Sequence, residues 1–217
     1  PGLGDYHITL GGPSYIPAVN WLIASGNQAK ITGDKGLYYG SSLDVTNNSI
    51  NPRATVGTAF TPDGDYTVEF WAYINTFNSG GTHIVQYDND AGQTGWLVSA
   101  DAGTLRWMLR NSSGQDVQVN IPNVVKTGQW HHFACVYETS PKDRMTAYLD
   151  GVPIGSTAVA SNYLSTQYTN LNRLHIGSNG GTGSRPMEGY MSDLRIYKGV
   201  AKYKGGFDVP KPYTPVG

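Results

Sequence analysis

Residues 127–151 read TGQWHHFACVYETSPKDRMTAYLDG. Two runs in this stretch have strand character, Trp130 to Glu138 and Arg144 to Asp150, joined by a Ser-Pro-Lys-Asp connection. Both are rich in aromatic and β-branched residues, which suit a pleated, half-buried surface. Asp150-Gly151 closes the second run with the strongest hairpin signal in the chain, because both residues tolerate the positive φ that tight two-residue turns require. These two residues are therefore assigned a structural role, turning the chain between strands.

Working outward, Asp65 to Ile74 reads DYTVEFWAYI, with Val68, Phe70, Ala72 and Ile74 on one face and Glu69, Trp71 and Tyr73 on the other. Thr82 to Tyr87, Gly95 to Ala100, Thr104 to Arg110 and Asp116 to Ile121 also read as strands. In Thr104 to Arg110, Leu105, Trp107 and Leu109 alternate with Arg106, Met108 and Arg110. Gly36 to Val45, Arg173 to Gly177 and Tyr190 to Tyr197 bring the count to about eleven, and no helical stripe of useful length interrupts them. Residues 1–34 differ: paired glycines, three prolines and short apolar pieces predict an extended arm, a linker or one irregular hairpin. The expected organisation is that segment, followed by one β-sandwich domain over residues 35–217 with a basic, tyrosine-bearing tail.

Composition agrees. The 217 residues contain 28 Gly, 12 Pro and 15 Tyr, the mix that many short strands and tight turns produce. Charged residues make up 14 % and the net charge is −1, which supplies no clustered basic surface for nucleic acid. No apolar run reaches the length needed to insert into a membrane as a helix. The lone Cys135 excludes an intramolecular disulfide and reads as an inert core thiol.

DYTVEFWAYI, GTLRWMLRN (103–111), TGQWHHFACVY (127–137), AYLDGVPIG (147–155), LHIG (174–177) and EGYMSDLRIYKGVAKY (188–203) occur here in one order. This ordered set resembles the laminin-G-like, concanavalin-A-like lectin/glucanase superfamily. The closing pattern, running on to Pro210, is similar to domains attached to phage tail, fibre and capsid-surface proteins. The resemblance implies an all-β fold, an antiparallel two-sheet jelly-roll sandwich with one concave sheet. Relatives hold sugars on that face or at its rim, sometimes with calcium. Alternating strands with partly apolar faces independently call for a second sheet packed against the first.

Catalysis finds little support. A retaining glycosidase needs paired carboxylates, and none of the three glutamates, Glu69, Glu138 and Glu188, lies in an E-x-D-x-x-E arrangement. No Gly-x-Ser-x-Gly elbow is present. His131 and His132 are strand neighbours and point to opposite faces, so they cannot jointly chelate one metal; one is expected inside and one on the open sheet. Calcium has a better candidate in the oxygen-rich loop at Asp88, Asn89 and Asp90. Asp193 and Arg195, two apart near the end, read as an ion pair that pins the last strand. Trp71, Trp107 and Trp130 are expected in the core, and Tyr73 and Trp96 on the open face as sugar-stacking rings.

The leading expectation is a non-enzymatic virion-surface protein, a homo-oligomer whose partners are host-surface glycans and, through residues 1–34, other virion subunits. The alternatives are capsid decoration or a fibre assembly module, and an extracellular carbohydrate-binding module of a secreted bacterial enzyme.

Overall fold

A computed structural model describes residues 5–8, 21–22, 30–37, 40–46, 53–89, 95–111, 113–161, 163–164, 171–179 and 184–211. Among these, fifteen strands form two antiparallel sheets: β1 Asp5–Ile8, β2 Trp21–Leu22, β3 Lys30–Thr32, β4 Ser42–Asp44, β5 Arg53–Thr55, β6 Tyr66–Thr76, β7 His83–Asp88, β8 Gly95–Asp101, β9 Thr104–Arg110, β10 Asp116–Ile121, β11 Trp130–Glu138, β12 Arg144–Leu149, β13 Val152–Ala158, β14 Arg173–Ile176 and β15 Glu188–Lys198. The eight-stranded sheet runs β13-β12-β11-β6-β15-β4-β3, with β1 also on β15; the seven-stranded sheet runs β10-β9-β8-β7-β14-β5-β2. The expected all-β, two-sheet sandwich is the fold observed.

The sheets bury their facing sides against each other. Phe70 of β6 and Phe133 of β11 stack with ring centroids 5.1 Å apart, and Cys135 and Tyr137 continue that inner row. Trp96, Val98 and Ala100 of β8 and Leu105, Trp107 and Leu109 of β9 face them from the other sheet. Burial drives the Cys135 thiol pKa well up, so it stays a protonated, apolar filler. At the β12–β13 hairpin, Asp150 (φ 52°) and Gly151 (φ 79°) adopt the left-handed backbone that the turn needs.

The described parts of the N-terminal segment add strands, and two expectations change. The described parts of residues 1–34 complete this chain's own sheets: Asp5–Ile8 pairs with Leu194–Tyr197, Trp21–Leu22 with Arg53–Ala54 and Lys30–Thr32 with Ser42–Asp44. The reason is visible in β15, whose eleven residues outrun β4, which pairs only Tyr190 and Met191; β1 satisfies the remaining edge. The strand expected over 36–45 shrinks to Ser42–Asp44. Finally, the outer face of the eight-stranded sheet is largely closed, because residues 199–211 cross it. The Val200 carbonyl accepts from the Thr67 hydroxyl, the Phe207 N–H donates to the Gly151 carbonyl, and the Lys211 carbonyl accepts from Arg195.

Candidate functional site

Beneath that tail lies Glu69, fully buried although it points away from the core. Its carboxylate accepts from Lys202 Nζ (2.6 Å), Tyr197 Oη (3.0 Å) and Tyr203 Oη (2.5 Å), with Arg195 at 3.7 Å and His132 at 3.6 Å. Burial, then the Glu69 charge, drives both phenol pKa values up, so both hydroxyls remain donors. Arg195 also holds Asp193, and that pair sits at a bulge where Asp193 has φ 54°. One of the two adjacent histidines was expected on an open sheet; His132, the one on the outer face, is 1 % exposed, edge-on to Phe207 and Trp71. Burial lowers its pKa to about 4. Its neighbour His131 faces inward and pairs with Asp150 at 2.6 Å. Burial pushes the Asp150 carboxyl up, but the bonds from His131 and from the His132 N–H outweigh it and leave it below its ordinary value. This half of the molecule is a structural lock.

The outer face of the seven-stranded sheet is different. A depression of about 250 Å³ opens there over β7, β8, β9 and β10. Arg106 and Arg110 project into it from β9, on the face opposite Leu105 and Leu109. Arg110 is held by Asp116, its cross-strand partner, through two bonds of 2.5 and 2.7 Å, and Arg106 by Asp101 at 2.5 Å. Arg185 enters from the segment before β15, with φ 54°, its carbonyl accepting the His83 N–H at 3.0 Å. Its guanidinium is 3.5 Å from His83 Nε2. Among the described residues no carboxylate pairs with Arg185.

A directed chain of hydrogen bonds floors the depression. Burial lowers the His83 pKa to about 4, aided by Arg185 and Arg106, so the ring is neutral. Facing Gln86 Oε1 at 2.9 Å, His83 Nδ1 carries the proton and leaves Nε2 to accept from Arg185. Gln86 then donates to Asp88, whose other oxygen lies 3.2 Å from His175 Nε2. His83 and Gln86 line the depression and are fixed by the partners behind them, which orients Arg185 through His83, while Asp101 and Asp116 orient Arg106 and Arg110. Chemically, the face offers guanidinium and amide donors beside carboxylate and amide acceptors, a pattern suited to a polyhydroxylated or anionic ligand.

Two expected site residues move. Trp96 is not on an open face: it is 1 % exposed in the inter-sheet core, and its indole N–H donates to the Phe60 carbonyl at 3.2 Å. In GWLVSAD, Trp96, Val98 and Ala100 form the apolar parity against Gly95, Leu97, Ser99 and Asp101, so the alternation itself places Trp96 inward; Leu97, not Trp96, points outward. Trp71 and Trp130, expected in the core, lie with Tyr73 on the outer face of the eight-stranded sheet, Trp71 edge-on to His132. Asp88 is 1 % exposed, and its two oxygens face Gln86 and His175. Asp90 lies outside the described residues, and among those described no group of three or more His, Cys, Asp or Glu side chains could hold a metal.

The sequence from residue 44 to 202, well over half of the chain, matches the family described as the concanavalin A-like lectin/glucanases superfamily. The chain belongs to this superfamily. Solved structures share its fold at low identity. The receptor-binding domain of botulinum neurotoxin type G is 13 % identical with TM-score 0.57, covering 82 % of this chain and 42 % of that one. The botulinum neurotoxin serotype D ligand-binding domain in complex with N-acetylneuraminic acid is 12 % identical with TM-score 0.61, covering 88 % and 46 %. The Ruminococcus gnavus IT-sialidase CBM40 bound to α2,3-sialyllactose is 16 % identical with TM-score 0.56, covering 63 % and 77 %. This chain thus spans less than half of either toxin domain. No protein of curated function matches the sequence. In this superfamily member, the sandwich presents one outer face largely covered by residues 199–211 and one furnished with arginines.

Proposed function

We propose that this chain is a non-catalytic glycan-binding domain whose site is the outer face of the seven-stranded sheet, and that it prefers glycans carrying an acidic sugar. The observation that carries the reading is the preorganised set of Arg106, Arg110 and Arg185 above the His83–Gln86–Asp88–His175 chain. Arg106 and Arg110 are already neutralised by aspartates, which orient their remaining N–H groups toward sugar hydroxyls. Arg185, exposed and without such a partner, is the cation left to meet a ligand carboxylate. The sialylated ligands of two structural neighbours agree with this choice.

The test is binding of the full chain to a broad glycan array, followed by calorimetry with α2,3-sialyllactose and lactose. Sialyllactose should bind and lactose bind more weakly. Arg185→Ala should weaken the acidic glycan roughly tenfold to a hundredfold, as loss of one charge-assisted hydrogen bond of about 1.5–3 kcal/mol implies. Equal binding of both sugars to wild type and variant would sink the acidic preference; no binding to any glycan would sink the site.

The virion-surface setting belongs to the same proposal and rests on the closing pattern of residues 188–210. An antibody to the chain should decorate intact virions of the source and be competed by the purified domain. Labelling of secreted enzyme fractions instead would favour the carbohydrate-binding-module alternative. Decoration of particles with no glycan binding would favour a purely architectural role.

A further inference from the structure

The tail that seals the eight-stranded sheet leaves one row open. Trp130, Tyr73 and Tyr190 pair directly across β11, β6 and β15, so their side chains share one face in a single transverse line. Their ring centroids are 5.7 and 6.1 Å apart, with Tyr73 nearly perpendicular to both neighbours. All three are half-buried, whereas Glu69, further along β6, is buried beneath Lys202 and Tyr203. Among the described residues, the Tyr73 and Tyr190 hydroxyls and the Trp130 indole N–H make no hydrogen bond. Three amphipathic rings thus keep their polar tips available.

Polar groups flank the row at both sides. Lys35 holds its ammonium 4.7 Å from the Tyr73 ring centre. Asp44 is the register partner of Tyr190 on the same face, held in orientation by two bonds from Thr46. Glu188 lies two residues before Tyr190, and its carboxyl is raised by burial and by the Asp44 charge, which marks the two as close neighbours.

We propose that the Trp130–Tyr73–Tyr190 row is a second carbohydrate-binding surface, on the sheet opposite the arginine face, and that it takes neutral oligosaccharides. Pyranose C–H faces stack on aromatic rings, and the centroid spacing is close to the length of one sugar ring. The Glu188 carboxylate accepts sugar hydroxyls and, with the buried Asp44 charge close by, repels an acidic sugar, the reverse of the Arg185 side. The domain would then grip two kinds of glycan, back to back, so that surfaces bearing both would be held with an affinity above either alone.

The test uses the Trp130 indole N–H resonance of the full chain, titrated into the millimolar range with chitotetraose, cellotetraose, maltotetraose and lacto-N-tetraose. At least one should move the Trp130 signal, and α2,3-sialyllactose should not. Trp130→Ala and Tyr190→Ala should weaken that tetrasaccharide by about tenfold or more, while Arg185→Ala leaves it unchanged. Should either aromatic variant fail to fold, the shift in the unmutated chain still decides. Absence of any shift with all four sugars, or loss of neutral-sugar binding in Arg185→Ala with Tyr190→Ala unaffected, would overturn the proposal.

Discussion

Replacing Glu69 by Gln keeps the shape and removes one charge from the lock between the eight-stranded sheet and the tail. In the native chain this buried carboxylate accepts from Lys202, Tyr197 and Tyr203, with Arg195 and His132 within 3.7 Å. A carboxamide accepts through one atom only, so its NH₂ would confront either the Tyr203 hydroxyl or the Lys202 ammonium and Tyr197 hydroxyl. Lys202 is 28 % exposed and Arg195 10 %, so neither cation is fully rescued by water. Breaking a buried charge pair by removing one partner costs about 3–5 kcal/mol. The partial exposure of Lys202 argues for the lower end, about 3 kcal/mol. For a chain of this size, each kcal/mol lowers the melting temperature by about 2–4 °C, so Glu69→Gln should melt about 6–12 °C below wild type. Differential scanning calorimetry measures this, and limited proteolysis should show new cleavage within 199–211. Glu69→Gln combined with Lys202→Met should be less damaging than the sum of the single changes, since the second removes the stranded cation. A melting point within about 1 °C of wild type, or strict additivity, would refute the idea that this carboxylate holds the tail down.

Three further outcomes follow from the same geometry. His83 and His132 have folded-state pKa values of about 4 against an ordinary 6.5, so the unfolded chain takes up protons first as pH falls. Stability is full above pH 6.5 and should drop between pH 6.5 and 4 by about 3 kcal/mol per histidine; His132→Gln should shrink that slope in urea melts, and an unchanged slope would contradict it. Gly151→Ala should destabilise the fold by about 2 kcal/mol or more, because at φ 79° the new Cβ would lie 2.1 Å from the Phe207 carbonyl oxygen; a calorimetric scan matching wild type would count against the described course of the tail. Chelation by EDTA should leave the melting temperature unchanged, since Asp88 is already engaged by Gln86 and His175, and a clear drop restored by calcium would return the loop at 88–90 to candidacy.

The inner half of the sandwich is legible from the chain alone. β9, β10 and β11 occupy the residues their alternation and turn signals mark, and Leu105, Trp107 and Leu109 face inward as their period of two requires. The outer faces are not legible, because what covers them comes from far along the sequence. Glu69 reads as an exposed strand residue until Lys202 and Tyr203, 133 and 134 positions later, close over it. The arginine face is half visible: Arg106 and Arg110 are marked as outward by β9, but Arg185 and His83 meet only through tertiary contact 102 residues apart. Trp96 and Trp130 exchange their expected roles. Trp96 was legible, since it shares the apolar parity of β8 with Val98 and Ala100 against Ser99 and Asp101, whereas Trp130 is placed outward by its pairing with Tyr73 on β6.

The most direct test of the account is a crystal structure of the full chain grown with α2,3-sialyllactose. Sugar density over β7 to β10, with the sialic acid carboxylate on Arg185 and hydroxyls reaching Arg106 or Arg110, is the predicted result. Sialyllactose bound elsewhere on the chain, with the arginine face bare, would contradict it.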